Sequence, residues 1–187
     1  MATRTEHERR YLVHSLEDVP GLDRRHGHEL IVQGYLASHD GATLRIRRRM
    51  GMRSETGPPL YEAIGSLEYK GPRQNAARLE HDWPVPDHIA PLLMRLAAHI
   101  IRKRRFSIVT SEGPWDIDEF LGENSGLIIA EFESEQAVRN LRRPEWCYSE
   151  ITPVRDFDNE QLAMRPISMW PASDLEKYKL LPKAHQD

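Results

Sequence analysis

Charged side chains recur at every second position in six short runs of the chain. They are Glu6, Glu8 and Arg10 in EHERRYLV, Arg45 and Arg47 in TLRIRRR, Arg78, Glu80 and Asp82 in ARLEHDW, Lys103 and Arg105, Asp116 and Asp118 in WDIDEF, and Glu131 and Glu133 in IIAEFES. A spacing of two puts each set on one face of a β-strand. One such strand needs no explanation beyond a solvated face. Six of them, with both charge signs on the marked face, read as the lining of a polar channel. Arg and Lys in such a lining can neutralise a polyanion, and Arg can grip phosphate oxygens with two parallel hydrogen bonds. Carboxylates beside them are explained if they hold Mg2+ or Mn2+, hard ions that take oxygen ligands. Such ions bridge protein acids to phosphate oxygens and acidify a bound water.

Other chemistries find little support. The chain has no GxxxxGK[ST] phosphate loop. Its nine His and single Cys show no zinc-ligand spacing, and His26 and His28 in a loop read as surface residues. With 187 residues, 29% of them charged and 39% apolar, the expectation is one folded domain with its own core. A net charge of -3 argues against an electrostatic nucleic-acid binder. The one dense basic run, RKRR at 102–105, reads equally as a solvated strand. Cys147 has no internal disulfide partner, which suits a reducing compartment. MATRTEHERRY carries no signal-peptide-like apolar stretch, and IAPLLMRLAAHII is interrupted by Arg95 and His99. The expected location is cytoplasmic, with no membrane and no nucleic-acid partner.

The elements that must carry these residues are mostly strands. A first strand is expected at 5–13, and a hairpin at 29–38 and 43–49 around His39-Asp40-Gly41-Ala42. MGMRSETGPP reads as a surface loop. Strands follow at 61–71 and 77–84, then a helix in PDHIAPLLMRLAAHI, whose Ile89, Leu92, Leu93, Leu96 and Ile100 fall at helical spacing. Further strands are expected at 101–110, 114–121 and 126–133. After them come a helix capped by Ser134, a short strand near 149–152 and a helix near 158–164. The predicted fold class is mainly β (α+β), with about eight antiparallel strands closed into a barrel and a few peripheral helices.

The ordered series of motifs resembles the CYTH domain, the triphosphate tunnel metalloenzyme family. Glu6-His7-Glu8-Arg9-Arg10 is similar to that family's ExExK opening, and Gln33-Gly34-Tyr35-Leu36 with Leu44-Arg45-Ile46-Arg47 to its second and third strands. Lys70, Arg78-Leu79-Glu80, Lys103-Arg104-Arg105, Trp115 to Phe120, Gly126 to Glu133, Trp146, Glu150-Ile151-Thr152, and Asn159 with Leu162 continue it in order. The likeness spans residues 5–165, which implies a tunnel domain at 1–165 and a C-terminal extension at 166–187. It implies an eight-stranded antiparallel barrel that binds a triphosphate with Mg2+ or Mn2+. Glu6, Glu8, Glu80, Asp82, Asp118, Glu131 and Glu133 become the expected metal ligands. Arg45, Arg47, Lys70, Arg78, Lys103 and Arg105 become the expected phosphate-binding residues, and Glu8, Arg10 and Lys103 the expected catalytic ones. For Asp116 an ion pair is the better expectation, and Trp115 and Phe120 are expected on the barrel exterior.

Three departures bear on function. Arg10 stands where the motif has Lys, Val32 where many members carry Arg, and Asp156 at a commonly basic place. They thin the basic lining and leave the carboxylates nearly complete. The activity implied is metal-dependent hydrolysis of a triphosphate, inorganic tripolyphosphate first. Adenylate cyclisation and a non-catalytic polyphosphate- or nucleotide-binding module are the alternatives. The expected partner is a triphosphate-containing small molecule, with homodimerisation open.

Overall fold

The computed structural model describes residues 8–24, 27–52, 63–72, 79–133 and 141–180. Among the described residues nine strands form one antiparallel sheet. They are β1 (Glu8–Leu12), β2 (His28–His39), β3 (Ala42–Met52), β4 (Ile64–Lys70), β5 (Glu80–Val85), β6 (His99–Thr110), β7 (Gly113–Phe120), β8 (Ile128–Glu133) and β9 (Ser149–Glu150). Their order is β5-β4-β3-β2-β6-β7-β8-β1-β9. The β2–β3 hairpin turns on Asp40 and Gly41, both at positive φ (48° and 78°), as a two-residue turn matched to strand twist requires.

The expected eight-stranded closed barrel is observed as an open, curled sheet. Among the described residues no pairing joins the end strands β5 and β9. The second edge of β1, where closure would have to occur, is partly taken by β9 through Tyr11 and Leu12. On the other side β5 ends in a Pro84-Val85 pair, and Pro84 has no N–H to offer a further strand.

Parity separates the two faces of the sheet. The outward residues Tyr11, Phe106, Trp115, Ile117, Ala130 and Phe132 pack with Val13, Leu16, Val19, Leu141 and Cys147 from the segments that follow β1 and β8. Trp115 therefore lies on the exterior face, as expected. On the outer face of β2, β3 and β4 lies α1 (Ala90–Met94). It approaches closely because Gly34 and Gly65 carry no side chain. A Cβ on Gly34 would sit 2.6 Å from Met94 Sδ and 2.7 Å from Ala97 Cβ, and one on Gly65 would sit 3.0 Å from Ala90 Cβ.

The helix expected over 86–100 is only these five residues, because the chain must reach β6 by His99. Ala90 is its buried contact, while Leu92, Leu96 and Ile100 remain exposed.

The inner face is divided along its length. Arg10, Lys103, Asp118 and Glu131 share inward parity with Leu12, Ile101, Phe120 and Ile129, one step further along the same strands. The second set is apolar and buried against Leu162 of α2 (Asn159–Met164), Phe157, Ile167 and Trp170. Phe120, expected outside, thus belongs to the interior, because it has the parity of Asp118. Residues 166–180, including α3 (Ala172–Lys177), join this core: Trp170 and Tyr178 stack edge-on to Phe157. The Asn124 side chain fastens the plug. It donates to the Leu162 carbonyl at 3.0 Å and accepts from the Ile167 N–H at 2.9 Å. The helix expected from Ser134 lies outside the described residues.

Candidate active site

Above the apolar half, the inner face opens into a cavity of about 460 Å³ lined by 19 described residues drawn from β1 through β8 and from the start of α2. Sixteen of them are charged, seven basic and nine acidic, and only Tyr35 is aromatic. The alternation in the sequence thus becomes a shared interior. Glu8, Arg10, Arg45, Arg47, Lys70, Glu80, Asp82, Lys103, Arg105, Glu131 and Glu133 all line it. Glu6 and Arg78 lie outside the described residues.

The charges are not mixed evenly. On β3, Arg45 and Arg47 share the single carboxylate of Glu68. The Nε atoms of Arg45 and Arg47 stand 2.7 and 3.2 Å from its two oxygens. Burial pushes the Glu68 carboxyl up, but the two guanidinium charges overrule it and hold it below its usual range. Arg47 is driven the other way, down to about 10, by burial and by the like charge of Arg45. Burial is the larger cause, and an anion beside Arg47 would offset it and the repulsion from Arg45. Arg49 extends this basic wall, with Glu29 at 3.9 Å.

The facing wall is acidic. Glu8 and Glu133 are direct cross-strand partners on β1 and β8, and Glu131 faces Asp116 across β8 and β7. Like charges placed opposite each other on one face destabilise a sheet unless a cation lies between them. Arg105 supplies part of that cation. Its guanidinium meets Asp116 at 2.7 Å, Asp118 at 2.7 and 2.6 Å, and Glu131 at 2.6 Å. Burial works against its charge, yet these carboxylates raise its pKa above the ordinary arginine value.

Asp118 sits deepest, with no exposed surface, and also accepts from the Lys103 ammonium. Burial pushes its carboxyl up, but Lys103 and Arg105 prevail and hold it at about 2. Asp116 does form the expected ion pair, while keeping a place in the lining. At the edge, Lys70 and Glu80 stand 3.1 Å apart.

Arg10 is held by α2 and the turn before it. Its guanidinium donates to the Phe157 carbonyl at 3.1 Å and to Asp158 at 2.8 Å, with Glu8 3.7 Å away. The planar fork does what a Lys ammonium could not: it ties β1 to the start of α2 in several directions at once. Val32 faces away from the inner parity of Gln33 and Tyr35, so its lack of charge costs the cavity nothing. Asp156 is exposed; the acids that matter from this segment are Asp158 and Glu160. Sequence reading passed over Glu68, Arg49, Asp158 and Glu160. The parity of Lys70 and of Arg45 and Arg47 marks the first two, whereas nothing local marks the last pair.

A divalent metal suits the donors present. Glu8, Asp116, Glu131 and Glu133 offer only oxygen, from three adjacent strands, as Mg2+ or Mn2+ requires. Among the described residues no three acidic or imidazole side chains converge on one point as they stand. Among the described residues two buried donors, Arg10 Nε and Gln33 Nε2, meet no acceptor, which suits a ligand rich in acceptors.

No protein-family model matches the chain. An inorganic triphosphatase of Acetivibrio thermocellus is 28% identical over 136 residues, 72% of this chain and 80% of that protein. The crystal structure of the inorganic triphosphatase NE1496 matches with a TM-score of 0.58 at 24% identity, over 86% of this chain and 95% of that one. A putative adenylate cyclase from Bacillus halodurans shares the fold, with a TM-score of 0.51 at 14% identity over 100% of this chain and 97% of its own. In sequence the chain is thus similar to an inorganic triphosphatase, and in fold to NE1496. The division between a β3 wall rich in Arg and a β1, β7 and β8 wall rich in carboxylate is the chemical content of the site. Among the described residues no helix is long and apolar enough to cross a membrane.

Proposed function

We propose that the protein hydrolyses a triphosphate, inorganic tripolyphosphate first, with Mg2+ or Mn2+ held in the cavity. The observation that carries this reading is the pair of facing walls with opposite charge excess. Arg45, Arg47 and Arg49 take the phosphate chain, and Lys70 completes the cradle at its edge. Glu8, Glu131 and Glu133 hold the metal, with Glu80, Asp82 and Asp116 as further acids. A divalent ion bound there would supply neutralisation of phosphate charge and a more acidic water. Arg47, buried beside Arg45, offers its guanidinium to a phosphate oxygen and so binds and orients the chain. With its carboxylate partners engaged elsewhere, Arg105 would be available to phosphate and would stabilise the charge that develops on the leaving group. Lys103 and Asp118 hold Arg105 in place from beneath. The likeness to the triphosphatase of A. thermocellus supports the same reaction here.

Adenylate cyclisation needs a seat for the base, and Tyr35 is the only aromatic side chain in the described lining. The inorganic substrate is therefore preferred, since phosphate contacts alone can hold it. Orthophosphate release from tripolyphosphate and from nucleoside triphosphates, with Mg2+ and with Mn2+, tests the proposal. Repeated turnover of tripolyphosphate that stops in excess chelator is expected. Release undiminished by chelator, or none from any triphosphate with either metal, would overturn it.

A further inference from the structure

Gln33 is fully buried, yet its Nε2 donor meets no acceptor among the described residues. Its strand, β2, lies between β3 and β6, and Gln33 stands directly opposite Arg47 on one side and Ile101 on the other. Its Oε1 accepts from Arg47 Nε at 2.9 Å. A guanidinium can only donate, so the atom that faces Arg47 must be the amide oxygen, and Nε2 is turned away. An apolar side chain of similar length would fill this space without leaving a buried donor unpaired. What the amide contributes is therefore its oxygen. Glu68 cannot do the same work for Arg47. Its Oε2 stands 2.7 Å from Arg45 Nη2, while its Oε1 accepts from Ser66 at 2.9 Å and lies 3.2 Å from Arg47 Nε. Arg45 and Arg47 against Glu68 are two positive charges against one negative, an excess of one. A carboxylate at position 33 would also hold Arg47, but it would cancel that excess. The amide holds Arg47 and leaves the charge in place.

We infer that Gln33 is a positioning residue, a neutral acceptor that fixes the Nε edge of Arg47 without spending the charge of its guanidinium. This rests on the proposed triphosphate activity and adds to it a residue that acts only through Arg47. Among the described residues the two acceptors beside Arg47, Gln33 and Glu68, both stand at its Nε. Without the Gln33 oxygen, Nε has only Glu68 to turn to, and the guanidinium swings toward β4. Among the described residues β2 pairs only with β3 and β6, so the carboxylates of β1, β7 and β8 should not feel the change.

A double-mutant cycle in the full chain tests this, read as steady-state hydrolysis of tripolyphosphate in Mg2+ by wild type, Gln33→Met, Arg47→Met and the double variant. Gln33→Met keeps the length of the side chain and removes both polar atoms. It is expected to raise KM about tenfold, with kcat and the half-saturating Mg2+ concentration each within about threefold of wild type. In the Arg47→Met background the same change should cost less than about twofold in kcat/KM, because its target is gone. Gln33→Glu keeps the oxygen and the shape but adds charge, and it too should raise KM about tenfold. Being isosteric, it carries the test if Gln33→Met does not fold. Wild-type KM in either single variant would overturn the inference. So would a loss from Gln33→Met that is as large in the Arg47→Met background as in the wild type, or a fall in kcat at unchanged KM, which a smaller folded fraction would give. Each of these leaves the triphosphate reading standing. Absence of tripolyphosphate turnover in the wild type would overturn both.

Discussion

At the scale of single residues, the site is built from ion pairs that hold each other in place, and removing one member exposes the rest. Asp118 is fully buried between Lys103 and Arg105. Asp118→Ala leaves a buried ammonium without its partner and is expected to cost about 3–5 kcal/mol in a urea titration. The joint change Lys103→Met with Asp118→Leu removes both charges and should recover much of that loss.

The same group fixes a pH dependence. The folded Asp118 carboxyl is held at about 2, below its ordinary 3.8, so its stabilisation is fully present above the unfolded value and lost as the pH falls through the folded one. Acid unfolding of the wild type should therefore show a component between about pH 4 and 2. That component should be absent from the double variant.

Arg10→Lys should lose the contacts to Phe157 and Asp158 and cost about 1–3 kcal/mol, because a single ammonium cannot reproduce the fork. Chemical denaturation checks this, and an unchanged midpoint would mean that Arg10 only screens charge. The lining itself was legible from sequence because parity is a local property: 45 and 47, 103 and 105, 131 and 133 must share a face in any strand. Partners were not legible. Nothing in WDIDEF says that Asp118 will be sealed beneath Lys103 while Asp116, two residues earlier, reaches the cavity.

At the scale of elements, the plug is the part that sequence concealed most. The strands were placed to within a few residues where they are described, since alternation and the Asp40-Gly41 turn are strong local signals. The stretch 86–100 misled because its apolar residues keep a helical period, yet only α1 forms there and Leu92 and Leu96 stay exposed. Its place is decided instead by two glycines on neighbouring strands, which no window of sequence around the helix contains. Segment 157–170 gave no sign that it would enter the sheet, because its burial depends on Leu12, Ile101 and Phe120, far away in the chain. Asn124 links these parts. Asn124→Ala should strand the Leu162 carbonyl and the Ile167 N–H in a buried setting and cost about 2–4 kcal/mol by denaturation. An unaltered stability would mean that the plug is held by apolar packing alone.

For the whole molecule, an open curled sheet does the work expected of a closed barrel, because the ligand needs facing walls and a floor but not a complete ring. Binding should then tighten the entire fold. Tripolyphosphate with metal at about a hundred times its dissociation constant stabilises the native state by about 2.7 kcal/mol, which for this size is a melting shift on the order of 5–10 °C. The same tripolyphosphate without metal should give a smaller shift, since the acidic wall then repels it. The central claim is that two walls of opposite charge excess divide the labour of binding phosphate and binding metal. Steady-state turnover of tripolyphosphate by Arg47→Met and Glu131→Gln, each titrated separately in substrate and in Mg2+, tests it most directly. Both variants should lose on the order of a hundredfold or more in kcat/KM. Arg47→Met should be partly rescued by more substrate and Glu131→Gln by more metal. Wild-type turnover in both, or a deficit in each that responds alike to substrate and to metal, would contradict the account.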